Sequence, residues 1–176
     1  MRVREALRGG TAGAHRRVDA AFSRYDLSDR RGYAAFLSAQ AAAFLPIEKW
    51  LDEAGAEALL PDWPERRRAD ALRADLAALD VTLPELFPPP HFDDGKGPLL
   101  GAIYVLEGSR LGGTVLKRAV PRDFPRRFLD ARQPAGGWRK LLQSLDDLLI
   151  RQDDLDAAVQ AAREVFARFE AGAEAH

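Results

Sequence analysis

The chain has 176 residues, enough for one domain around one sizeable core. A formal net charge of -1 excludes a nucleic-acid binder or polybasic membrane anchor that works through bulk charge. With no cysteine there can be no disulfide, thiolate ligand or cysteine nucleophile, which fits a cytoplasmic protein.

The apolar spacing is helical nearly throughout, and alternating strand patterns are absent. The leading MRVREALRGG has no apolar stretch of signal-peptide length. A first helix is predicted over Val3–Phe22, with Leu7, Ala14, Val18 and Phe22 on one face. Ser28 is placed to cap a second helix, with Asp29 in its first turn. That helix reaches about Ala54; Pro46 should kink or divide it, and Gly55 should stop it. Past Pro61 and Pro64, a helix fits Glu65–Leu79, with arginines outside and leucines inside. Residues 82–98 read as a proline-rich connector.

A helix over residues 98–118 follows, and Pro121 and Pro125 end it. Its apolar run around Leu99–Leu106 is too short to cross a bilayer. A short element near Arg126–Ala131 and a turn at Pro134–Gly137 lead to helices over about Gly137–Arg151 and Asp154–Ala171. Asp153 or Asp154 should cap the last. No repeat or second domain is visible. The expectation is an all-α fold, a compact single-domain bundle over residues 1–176 with about six to eight helices.

The helix over residues 98–118 breaks a local rule. It carries Gly101, Gly108, Gly112 and Gly113, and each mid-helix glycine costs about 1 kcal/mol against alanine. Gly101, Gly108 and Gly112 fall along one helical stripe flanked by Tyr104 and Leu111. Such a stripe admits close approach of another body, either a neighbouring helix or a flat ligand.

Three histidines are present: His15, His91 and His176. His176 ends the chain, and His91 follows prolines in the connector. His15 borders the apolar face of the first helix, with Asp19 one turn later. A single histidine cannot build a zinc site, but it suffices as the one protein ligand of haem iron, because the porphyrin supplies the equatorial bonds. A satisfied core histidine is the alternative reading of His15, and close helix packing is the alternative reading of the glycines.

At these residues the chain resembles a known family. Leu7–Phe22 (LRGGTAGAHRRVDAAF) resembles the proximal-helix motif of haem oxygenases, and Tyr104–Leu116 (YVLEGSRLGGTVL) resembles their distal-helix motif, particularly in bacterial members. The resemblance implies an enzyme that opens haem with O2 and electrons to biliverdin, carbon monoxide and ferrous iron. It implies His15 as the axial ligand and Asp19 as the acidic partner that orients the imidazole. Gly108, Gly112 and Gly113 match the distal glycines that let the helix crowd the haem. Arg8 matches a basic contact to the haem propionates. Arg139 and Lys140 fall where the family supplies further basic contacts, and Tyr104 flanks the pocket. The implied partners are a ferredoxin or flavoprotein reductase as electron donor and a bacteriophytochrome as biliverdin acceptor.

One position departs from the pattern. Many members have an acidic residue after the first distal glycine, where it organises a proton-delivering water network; here it is Ser109. A hydroxyl donates and accepts but carries no charge. Glu107 should point away and is a poor substitute. Ser109 keeps open a second reading, a haem-binding or trafficking protein without turnover. A third reading, a non-haem relative of the fold or a helical interaction module, fits the pairing of His15 with the glycines less well.

Overall fold

The computed structural model describes residues 2–176. Nine α-helices and one short 3-10 turn form the described chain: α1 (Arg2–Phe22), α2 (Arg30–Glu53), α3 (Ala56–Leu59), α4 (Trp63–Arg66), α5 (Ala69–Ala78), α6 (Lys96–Leu116), α7 (Arg127–Asp130), α8 (Gly137–Leu148) and α9 (Gln152–Ala175). The fold is all-α as the sequence predicts, and the count exceeds the expectation because α3, α4 and α7 are single turns. No helix among the described residues is long and apolar enough to cross a membrane.

Helix α9 organises the bundle, packing on α1, α2 and α6. Its contact with α6 is close because both sides are small. A Cβ at Gly101 would run into the carbonyl of Ala158, and one at Gly97 would lie 2.5 Å from the Asp154 carbonyl. The glycine stripe therefore divides. Its amino-terminal end serves helix packing, and only the part from Gly108 onward is left for another purpose.

Several element ends differ from the sequence reading. Asp29, not Ser28, caps α2 by accepting from the Gly32 amide at 2.9 Å. Ser28 instead donates to Asp26. Pro46 lies inside an undivided α2. Proline lacks the amide that would bond the carbonyl one turn earlier. That carbonyl, on Ala42, accepts from the Phe87 amide of the connector at 3.0 Å. Arg151 occupies the cap position of α9, so Asp153 and Asp154 sit in its first turn, where carboxylates favour the helix dipole.

The largest difference lies between Trp63 and Ala78. The predicted single helix is two, α4 and α5, separated at Arg67, whose backbone is extended. Glu48 of α2 caps the second piece, accepting from the amides of Arg68 (2.8 Å) and Ala69 (2.9 Å). The arginines expected outside are partly inside: Arg66 is 1% exposed and Arg68 4%.

Candidate functional site

Both α1 and α6 rest on α9, and a cleft of about 770 Å³ opens between them. This volume suits a cofactor-sized ligand. His15, Arg8 and Asp19 line it from α1, and Tyr104, Gly108, Ser109, Gly112 and Gly113 from α6. Phe36 and Gln40 of α2, Trp138 of α8 and Phe166 and Phe169 of α9 are also among the lining residues. Residues more than ninety positions apart thus meet as the sequence reading expects.

His15 is not a satisfied core residue. Its side chain is 59% exposed, its ring leans on Phe166 at 5.5 Å between centroids, and Nε2 lies 3.6 Å from an Asp19 carboxylate oxygen. That separation exceeds a hydrogen bond. Asp19 stands beside the imidazole without locking it. Among the described residues, no group of three or more His, Asp or Glu is placed to hold a metal ion. His15 therefore suits a metal that arrives with its other ligands.

The α6 wall is shaped by missing side chains. A Cβ added at Gly112 would meet nothing within 4 Å, and one at Gly108 would reach only the Trp138 ring, at 3.7 Å. Side chains at these two positions would project into the space they now leave open. Gly113 differs: it is buried, and its nearest neighbour is Leu129 at 3.5 Å. Tyr104 is half-buried beside Trp138, with ring centroids 5.8 Å apart. Burial pushes its phenol above the ordinary value, and the charges of Arg4 and Arg8 partly oppose this.

An exposed imidazole on one wall, a flat glycine wall, aromatic lining and cations at the rim together fit a planar macrocycle with acidic substituents. The cations are Arg4, Arg8 and Arg16 of α1. Arg139 and Lys140 need correction. Both are exposed and neither lines the cleft, because the turn of α8 that faces it presents Trp138 instead.

Glu107 faces away from the cleft, as its helical position requires. It is 1% exposed and bonds Arg66 (2.8 Å) and Arg110 (3.0 Å). Arg110 is fully engaged, donating also to the carbonyls of Ala131 and Arg66. Among the lining residues that the sequence reading missed is Arg68. Its Nη2 donates to Ser109 Oγ at 2.9 Å, and Ser109 Oγ donates to the Leu106 carbonyl at 2.6 Å. The sequence carried no signal for Arg68, because the spacing over Glu65–Leu79 fits one continuous helix with its arginines outside.

Comparison with known proteins identifies the family. The protein named heme oxygenase from Xanthomonas campestris pv. campestris (strain 8004) is 33% identical over 113 residues, 61% of this chain and 67% of that protein. The heme oxygenase PigA of Pseudomonas aeruginosa is 30% identical over 165 residues, 88% of this chain and 83% of that protein. No family model matches the chain. The solved heme oxygenase of Neisseria meningitidis, described in NO- and CO-bound forms, shares the fold with a TM-score of 0.78 at 24% identity, covering 96% of this chain and 88% of that one. That of Leptospira interrogans gives 0.75 at 20% identity with 100% of both chains covered. The chain belongs to the haem oxygenase family.

Proposed function

We propose that the chain is a haem-degrading oxygenase that holds haem in the cleft between α1 and α6. The observation that carries this is the pairing of an exposed His15 with a glycine wall across one cleft. When bound, haem is both substrate and site of oxygen chemistry, consumed with O2 and electrons to give biliverdin, carbon monoxide and ferrous iron. His15 would ligate the iron, and Asp19 would orient the ring once the two draw within hydrogen-bond distance. Gly108 and Gly112 leave the α6 wall bare, so that a flat ligand can approach its backbone, and Phe36, Phe166 and Phe169 add apolar lining. Gly113, where a Cβ would reach Leu129 at 3.5 Å, belongs to the same lining. Arg8, with Arg4, would hold the propionates, and Tyr104 beside them would offer a phenol hydroxyl. Ser109, turned toward the Leu106 carbonyl, offers the cleft an acceptor.

The cationic rim suits an acidic ferredoxin or a flavoprotein reductase as electron donor. The biliverdin released would serve a bacteriophytochrome, in a cytoplasmic setting. The test supplies hemin, a reductant and air: turnover destroys the Soret band and yields biliverdin. A stable complex would favour the second reading, a haem carrier, to which Ser109 in place of a carboxylate lends support.

A further inference from the structure

Arg68 is a buried cation with no carboxylate on its guanidinium. The acids around it are engaged elsewhere. Glu48 accepts from the backbone amides of Arg68 and Ala69, Glu107 bonds Arg66 and Arg110, and Asp62 bonds Arg66. Only Nη2 of Arg68 is hydrogen-bonded among the described residues, and Nε is buried without a partner. The guanidinium lies 5.0 Å from the ring centre of Phe44 and 4.9 Å from that of Phe128. Two π faces offset part of the desolvation of a cation, but they leave its charge uncompensated.

Burial, reinforced by the charge of Arg110, pushes the Arg68 guanidinium down to about 9, against the pull of Glu107 and Glu48. This corner of the fold sets Arg66, Arg68 and Arg110 against Glu48, Glu107 and Asp62, yet none of the three carboxylates bonds the Arg68 guanidinium. It is also part of the cleft, since Arg68 lines it beneath Ser109. The Ser109 proton is turned to the Leu106 carbonyl, so the hydroxyl cannot also supply a donor to the cleft. Arg110 also lines this wall but is paired with Glu107, so the cation here without a carboxylate partner is Arg68.

We propose that Arg68 makes the α6 side of the cleft a site for small inorganic anions, and that with haem in place it favours anionic over neutral ligands at the open coordination position. The second clause rests on the haem reading given above. A buried cation attracts an anion far more strongly than one in water, because little solvent screens the pair. A neutral ligand of similar size gains nothing from the same charge.

The test uses the full chain with ferric hemin, titrated with azide, fluoride and imidazole and followed by the shift of the Soret band. Arg68→Met should weaken azide and fluoride about tenfold and leave imidazole unchanged. Arg68→Lys should hold anion affinity near that of the unaltered chain. Arg68→Gln removes the charge while keeping an amide donor toward Ser109; it should weaken the two anions selectively and carries the test if Arg68→Met does not fold. Equal effects on azide and imidazole, or no effect in either variant, would overturn the proposal. An unaltered chain that binds no hemin would overturn the haem reading and this proposal together; normal hemin binding with unselective variants would overturn this proposal alone.

Discussion

Arg66 Nη1 donates to Glu107 Oε2 over 2.8 Å, in a pair whose side chains are 0% and 1% exposed. The same guanidinium grips Asp62 through Nε (2.8 Å) and Nη2 (2.9 Å), and also donates to the Gly137 carbonyl at 3.0 Å. One arginine thus ties α4 to the middle of α6 and the start of α8. It also fixes which face of α6 meets the cleft, because Glu107 held inward turns Gly108 and Ser109 toward it.

Removing one member of this network strands the others. Glu107→Ala leaves the Arg66 and Arg110 guanidinium groups buried without their shared carboxylate, and is expected to cost about 3–5 kcal/mol. Urea unfolding of the variant beside the unaltered chain measures this. Equal midpoints would contradict the assigned role.

The glycines of α6 should separate by position. Gly101→Ala would place its methyl against the Ala158 carbonyl, so the α6–α9 contact must open and stability must fall. Gly112→Ala meets no neighbour and should gain up to about 1 kcal/mol from helix propensity. Gly112→Leu would fill the cleft and should impair hemin binding without loss of stability. Thermal melts and hemin titrations of these variants check the division; a destabilised Gly112→Ala would argue against it.

That division shows where sequence reading stops. Spacing placed Gly101, Gly108 and Gly112 on one stripe, which is geometrically right, since all belong to one unbroken helix. It could not assign the neighbour on each turn, because that depends on where α9 crosses. His15 opposite the glycines was legible because each motif is local and dense. Arg68 was not, because its burial depends on a chain break capped from another helix by Glu48. Arg139 and Lys140 failed for a related reason. Arginine is frequent in this chain, and although the start of α8 was read at Gly137, where it lies, that start alone does not say which side chain of its first turn faces inward.

Charge at the rim can be tested against that failure. Arg8→Glu should weaken hemin binding, and more so at low salt, where the lost attraction is least screened. Arg139→Glu and Lys140→Glu should leave it unchanged, since both residues lie outside the cleft lining. Hemin titration at two ionic strengths distinguishes them. Equal losses from all three would restore the sequence expectation.

A buried carboxyl gives a pH dependence. Asp75 accepts from the amides of Arg127 (3.0 Å) and Phe128 (2.8 Å), yet burial holds its carboxyl above the ordinary value of 3.8. The folded chain then binds this proton more tightly than the unfolded chain. Its contribution is full below 3.8 and is lost as pH rises through the raised folded value. Asp75→Asn removes the titration. The stability of the unaltered chain relative to this variant should therefore fall with rising pH and then level off. Urea unfolding of both across the acid range measures it, and a difference that grows with pH would contradict the assignment.

The central claim is that His15 holds haem iron at this cleft. Titration of the unaltered chain with ferric hemin, followed at the Soret band beside His15→Ala, tests it most directly. A saturable ligated spectrum is expected in the unaltered chain, and in His15→Ala a weakened band that added imidazole restores. An unchanged spectrum and affinity in His15→Ala would contradict it.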